Sequence, residues 1–281
     1  MSGTLYLCAT PIGNLDDITI RVINTLKEVD LVAAEDTRHS MRLLNHFNIN
    51  TPMTSYHEHN KIEKGKDLIK KLQDGINIAL ITDAGTPAIS DPGEELVAMA
   101  LDADVTVTSL PGPSACITAL TLSGLPTRRF VFEAFLPSKK KELQGVLEEL
   151  KNETRTIIIY EAPHRLKKTL KSLYESLGDR KTTIVRELTK RYETIIQTTL
   201  KEANSHYKDN EPRGEFVIII KGKEYSDIEN ENIKKWESLD IEEHMQYYFD
   251  LGNDKKDSMK KVAKDRGLSK RDVYNSLIKK H

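Results

Sequence analysis

The sequence predicts an α/β protein of two layered domains with a small helical appendage at its C-terminal end. Three observations carry this reading. Short apolar runs alternate with longer amphipathic ones over the first 222 residues, which implies strand–helix layers and a largely parallel sheet, at least in the first half. Gly124-Leu125-Pro126-Thr127 then interrupts the pattern after a helical stretch at Ser114–Leu122, so the domains are placed at 1–124 and 125–224. Beyond Lys223 the strand patterns stop, leaving 225–281 as helices.

The strands follow from apolar runs bounded by turn residues: Thr4–Ala9, Leu31–Ala34, Ile78–Thr82, Val105–Ser109, Phe130–Phe135, Thr156–Tyr160, Thr182–Val185 and Phe216–Lys221. Between the first two, Ile18, Val22, Leu26 and Val29 form one apolar stripe behind Asp17, a candidate cap. Leu68, Ile69 and Leu72 form another, closed by Gly75. In the appendage Ile233–Leu251 and Ser258–Ile278 read as helical. Lys264-Asp265-Arg266-Gly267-Leu268-Ser269 supplies a helix end, a turn and a cap, like a small helix-turn-helix.

Composition narrows the function classes. Of 281 residues 38% are hydrophobic and 30% charged, which suits a folded soluble chain, and no apolar run approaches the roughly 20 residues of a membrane span. The opening MSGTLYLCATPIG has no basic n-region, which argues against a secretory signal. Cys8 and Cys116 sit in apolar segments and read as buried thiols, in keeping with a reducing cytoplasm. The net charge of −1 conceals an asymmetry: Ser226–Asp254 holds nine acids and two bases, whereas Lys255–His281 holds ten bases and three acids. Such a tail is either a polyanion-binding surface or a solvated Lys-rich face.

Three Gly/Pro-rich turns follow three of the strands: Thr10-Pro11-Ile12-Gly13-Asn14, Asp83-Ala84-Gly85-Thr86-Pro87 running on to Ser90-Asp91-Pro92-Gly93, and Pro111-Gly112-Pro113-Ser114-Ala115. Singly each is an ordinary turn. Together, beyond the carboxyl ends of strands in an open sheet, they can line one crevice, with Ser114 placed to cap the helix that follows. There is no G-x-G-x-x-G, Walker lysine, zinc spacing or nucleophile elbow. The turns suit a ligand with an adenine-like group and no phosphates, and no metal-ligating residues are read from the sequence.

ATPIGN, Glu35-Asp36-Thr37-Arg38, DAGTPAISDPG, LPGPSA, Tyr160-Glu161-Ala162-Pro163-His164-Arg165, Arg186-Glu187-Leu188-Thr189-Lys190 and Arg213-Gly214-Glu215 occur in this order. In these segments the chain resembles the tetrapyrrole-methylase superfamily, and within it the bacterial 16S ribosomal RNA (cytidine 2'-O)-methyltransferases. That resemblance implies two α/β domains with S-adenosylmethionine in the cleft between them, a homodimer, and a cytidine at position 1402 of 16S ribosomal RNA, in the small subunit, as substrate. It further implies cofactor contacts from Pro11, Asp83, Ala84, Gly85, Ala88, Ser114 and Ala115, and from Glu161, Leu188 and Gly214 of the second domain. The tetrapyrrole enzymes often carry Gly-Gly-Asp-Pro where this chain has Asp83-Ala84-Gly85-Thr86, so backbone rather than side-chain contacts are expected there.

Methylating a ribose hydroxyl requires in-line approach and a group that accepts or orients its proton. Glu35 and Asp36, ending the second strand, are candidates, with Glu35 alternatively a helix cap; Arg38 can hold a phosphate bidentately. His164 and Arg165 follow the strand ending at Tyr160, and Glu187 and Lys190 follow Val185; Arg165 is alternatively a helix-surface charge. Tyr56, His57 or Tyr160 can stack on a splayed base or pack internally. Lys139-Lys140-Lys141, Lys167-Lys168 and the basic tail can track phosphates. The rival readings are a precorrin or uroporphyrinogen methyltransferase on the same scaffold, and a non-catalytic RNA-binding assembly factor.

Overall fold

The computed structural model describes residues 2–237 and 239–278; the last three residues of the basic tail lie outside them. The first half runs β1 (Thr4–Cys8), α1 (Ile20–Glu28), β2 (Leu31–Ala34), α2 (Thr37–His46), β3 (Met53–Ser55), α3 (Lys61–Gln73), β4 (Ile78–Ile81), α4 (Gly93–Asp102), β5 (Thr106–Leu110) and α5 (Ala115–Leu122). Its five strands form a wholly parallel sheet in the order β3-β2-β4-β1-β5. Every strand therefore delivers its carboxyl end to the same edge. β4 is buried along its whole length, as befits an apolar strand covered by helices on both faces.

The second half runs β6 (Phe130–Phe135), α6 (Lys140–Leu150), β7 (Thr156–Glu161), α7 (Pro163–Leu177), β8 (Lys181–Arg186), β9 (Thr194–Thr199), α8 (Leu200–Asp209) and β10 (Phe216–Ile220). Its sheet is mixed, in the order β6-β7-β10-β8-β9, with only the β6–β7 pair parallel. α6, α7 and α8 cover one face. The other face buries Ile158, Val185, Val217 and Ile219 against Cys116, Ala119 and Leu120 of α5 and against Ile12 of the first turn. The two halves are thus joined through α5 and the turn after β1.

Several local expectations are corrected. α1 is capped by Thr19, whose hydroxyl accepts the Val22 N–H at 3.2 Å, not by Asp17, which ends a preceding 3₁₀ turn. Ser114 holds the N-cap position of α5, but its hydroxyl sits 3.3 Å from the Cys116 sulfur and bonds no helix N–H. The cap comes from the second sheet instead, where the Tyr160 hydroxyl accepts the Cys116 N–H at 2.8 Å.

Among the described residues the appendage forms four helices: α9 (Tyr225–Glu237), α10 (Ile241–Asp250), α11 (Lys255–Asp265) and α12 (Lys270–Ile278). The stretch read as helical, Ile233–Leu251, spans the end of α9 and α10 with a break between them. Asp240 starts α10 in a capping box with Glu243, satisfying two end donors that a continuous helix would spend otherwise. Ser269 lies ahead of α12 and accepts the Asp272 N–H at 3.2 Å, as expected of a cap. Met245, Val262, Ala263 and Val273 make a small core.

His244 is fully buried in this unit, stacked on Trp236 with ring centres 3.8 Å apart. Its Nδ1 accepts from Arg266 at 3.1 Å and its Nε2 lies 3.3 Å from Asp265. Burial, with the Arg266 charge beside it, lowers the His244 pKa. The unfolded chain therefore binds this proton at higher pH than the folded one. Stability from the neutral ring is full above the unfolded value of about 6.5 and is lost as pH falls below it. Trp236 is the single tryptophan, so its fluorescence reports the unit directly. We expect the Trp236-monitored melting temperature to drop between about pH 7.5 and pH 5.5, and His244→Gln to blunt that drop. A melting temperature that holds steady across the range would remove His244 from the account.

Candidate functional site

A cavity of ≈ 510 Å³ opens where the carboxyl edge of the first sheet meets the end of the second sheet at which β7 and β8 finish and β10 begins. The three turns build one wall and are bonded to each other. Thr10 and Gly85 exchange both backbone bonds, at 2.9 and 3.1 Å, and the Thr86 hydroxyl donates to the Pro113 carbonyl at 2.9 Å. Gly85 is buried with φ +89°, a conformation that glycine adopts without a Cβ penalty. Ala88 and Ser90 also have positive φ, 65° and 68°. The Asp91 carboxylate holds this bend by accepting the N–H groups of Ala88, Ile89 and Gly93 at 2.8–3.1 Å. Backbone held this far from ordinary values concentrates where a ligand is clamped.

Glu35, Asp83, Ala84, Gly85, Ser114, Ala115, Glu161 and Leu188 all line this cavity. Pro11 and Ala88 do not; Ile12 and Ile89 beside them do. Gly214 stands behind the wall with φ +83°, against Glu187, where an added Cβ would lie 2.5 Å from the carboxylate carbons. Glu161 is buried and fully engaged: its carboxylate accepts from the Ala162 N–H at 2.9 Å and the Thr169 hydroxyl at 2.5 Å, and pairs with Arg165 at 3.3 Å. Arg165 also donates to the Leu136 carbonyl at 2.5 Å, which ties β6 to α7.

The remaining candidates divide by geometry. Glu35 accepts the Thr82 hydroxyl at 2.9 Å through one oxygen and caps no helix; Asp36 caps α2, accepting the N–H groups of Arg38 and His39. Hydrogen bonds from the Arg38 side chain and backbone hold the Asp36 carboxyl below its usual range. Arg38 itself is 91% exposed and outside the cavity, and His164 is exposed at the start of α7. Burial pushes Glu187 up, but the Glu215 N–H and Lys190 outweigh it and leave the carboxyl below its usual range. Lys190 binds Glu187 at 3.2 Å and Glu215 at 2.9 Å, and these carboxylates raise its pKa despite partial burial. It is a fixed cation, not a base.

Tyr56 is buried and donates to the Pro92 carbonyl at 3.0 Å, and Tyr160 packs edge-on against Phe132 and Phe135. The apolar lining that sequence reasoning missed is Ile12, Ile89, Phe135, Val185 and Val217. Val185 and Val217 were signalled by alternation at strand ends, whereas Ile12 and Ile89 lie within the turns themselves. Among the described residues the lining contains no lysine or arginine but five acids, Glu35, Asp83, Asp91, Glu161 and Glu215. Such a wall repels phosphates and favours a cationic ligand held by backbone amides, apolar side chains and a few polar groups.

Comparison with known proteins agrees with this fold. The family model for Tetrapyrrole (Corrin/Porphyrin) Methylases matches residues 4–204. The chain is 51% identical to ribosomal RNA small subunit methyltransferase I of Halalkalibacterium halodurans, over 97% of this chain and 94% of that protein. It is 47% identical to the protein of the same name from Bacillus subtilis, over 98% and 94%. Among solved structures it is similar to a cobalt precorrin-4 methyltransferase, with a TM-score of 0.58 and 19% identity over 78% of this chain and 94% of the other. It is also similar to a Thermus thermophilus uroporphyrin-III C-methyltransferase in complex with S-adenosylhomocysteine, with a TM-score of 0.54 and 21% identity over 79% and 98%.

Proposed function

The chain belongs to the tetrapyrrole methylase family, and from that premise we propose that it methylates the ribose 2'-hydroxyl of a cytidine, at position 1402, in 16S ribosomal RNA. The observation that carries the reading is sequence identity. The ribosomal RNA enzymes of Halalkalibacterium halodurans and Bacillus subtilis share 51% and 47% of their residues with this chain over 97–98% of it, whereas the two tetrapyrrole-enzyme structures share 19–21%. S-adenosylmethionine supplies a methyl group on a sulfonium, which carries positive charge.

The residues present fit that cofactor. Five acidic residues line the cavity, of which Glu35, Asp83 and Asp91 have no ion-pair partner among the described residues, and its ≈ 510 Å³ lies within the roughly 300–1,000 Å³ of small-molecule sites. The turns around Gly85 and Ala115, with Ile12 and Leu188, hold and orient the donor, and Glu35 is poised to take the hydroxyl proton. In this reading the basic face of α11 and α12 tracks RNA phosphates. The working species is a homodimer acting on the small subunit.

The test offers tritiated cofactor to naked small-subunit RNA, to assembled small subunits and to a porphyrinogen in parallel. Label is expected in ribosomal RNA alone, and nucleoside digestion should release 2'-O-methylcytidine. Label in the porphyrinogen, in a different nucleoside or in nothing at all would overturn the assignment.

A further inference from the structure

Arg186 and Arg213 belong to two of the sequence segments singled out above, yet neither lines the cleft. Successive strand residues face opposite ways. At the end of β8, Val185 faces the cleft and Arg186 faces a second cavity of ≈ 480 Å³, where β9 begins and α8 ends. Phe216 lines both cavities and forms the partition.

Three donors converge on this second cavity. The Arg186 Nε–H donates to the Arg213 carbonyl at 2.5 Å, which fixes the guanidinium. Its other N–H groups, and all those of the exposed Arg213 side chain, take no acceptor among the described residues. Tyr207 lines the cavity at 6% exposure, and its hydroxyl likewise takes no partner among the described residues. Burial pushes that hydroxyl up more than the Arg186 charge pulls it down, so it stays protonated and donates. The one acid in the lining, Glu211, is paired with Lys167 at 2.8 Å, so the charge presented to a ligand is positive. Ile195 and Phe216 add an apolar wall.

The geometry points to a nucleotide subsite: Arg186, Arg213 and the Tyr207 hydroxyl hold one phosphodiester of the substrate RNA, and the attached base lies against Ile195 and Phe216. Guanidinium groups match phosphate oxygens in pairs, and the apolar wall accepts the face of an unstacked base. The inference rests on the ribosomal RNA reading and deepens it. It places an RNA contact one sheet face away from the methyl donor, on the same edge of the second sheet.

The test is fluorescence anisotropy with a labelled small-subunit RNA fragment, comparing the full chain with Arg213→Gln and Tyr207→Phe. Binding of S-adenosylhomocysteine is followed by calorimetry. Each variant should bind RNA about 3–10-fold more weakly, Arg213→Gln should flatten the salt slope by about 0.7 log units, and S-adenosylhomocysteine should bind both as it binds the parent. If both variants bind RNA like the parent while the parent binds and methylates it, the subsite is overturned and the function stands. If inorganic phosphate binds the parent and not the variants while RNA affinity is unchanged, the cavity serves a free anion and the RNA assignment is overturned. If the parent neither binds nor methylates RNA, both readings fall together.

Discussion

Gly85→Val is expected to abolish cofactor binding. Gly85 is buried at φ +89°, exchanges both backbone bonds with Thr10 and lines the cavity. Even a single Cβ there would lie 3.3 Å from Ile12 and 3.6 Å from the Pro113 carbonyl. Valine adds two further methyl groups, and these have only the cavity to enter. A β-branched residue at positive φ also strains the backbone by about 1–3 kcal/mol. Affinity for S-adenosylmethionine, measured by calorimetry, should fall by on the order of 100-fold or more, equivalent to about 2.8 kcal/mol. Gly85→Ala should fall between the two. A folded valine variant with parental affinity would mean that the ligand binds elsewhere.

The second large effect concerns turnover. Glu35 lines the cleft at the carboxyl end of β2 and spends one oxygen on the Thr82 hydroxyl, which orients the carboxylate. It also lines a second, open groove with Glu58, Lys61 and Glu95. Replacing a group that accepts the hydroxyl proton typically costs 10²–10⁴-fold. Glu35→Gln keeps the shape and the Thr82 contact, so kcat is expected to fall by about 10²–10⁴-fold while S-adenosylhomocysteine binds as before. Near-parental kcat in single-turnover assays would release Glu35 from this role and transfer it to Glu187, since Lys190 is held as a cation between Glu187 and Glu215.

The architecture was legible because its central strands are apolar on both faces. The run at Leu31–Ala34 has the bounds read from sequence, and so does Phe130–Phe135, an edge strand of the second sheet whose apolar run was strong enough to show without burial. β3 and β9 escaped for physical reasons. β3 is three residues, Met-Thr-Ser, and exists through its pairing with β2. β9 is an edge strand, largely exposed and without alternation, and is defined by its ladder with β8. The break before α10 was readable, since Asp240 and Glu243 have capping-box spacing, but the apolar periodicity on either side concealed it.

In the site, the glycine-rich turns announced themselves because backbone that approaches a ligand needs small residues. The acidic character of the cavity did not. It arises when Glu161 and Glu215 from the second half converge on Glu35, Asp83 and Asp91 from the first, a meeting that local spacing does not encode. The Tyr160 cap on α5 is of the same kind, a bond between residues 44 positions apart. It takes over the capping that Ser114 was expected to provide.

The strand order has a consequence for how the chain is made. β1 is synthesised well before its ladder partners β4 and β5, which end at Ile81 and Leu110. At about 5–20 residues per second, roughly 5–20 s separate translation of Cys8 from that of Leu110. Throughout that interval Leu5, Leu7 and Cys8, all buried in the finished fold, have no completed sheet to enter. Nascent chains on neighbouring ribosomes present the same unpaired strand, and such edges self-associate. Soluble yield is therefore expected to follow the elongation rate between β1 and β5, with a slow codon inside that interval more harmful than one after it.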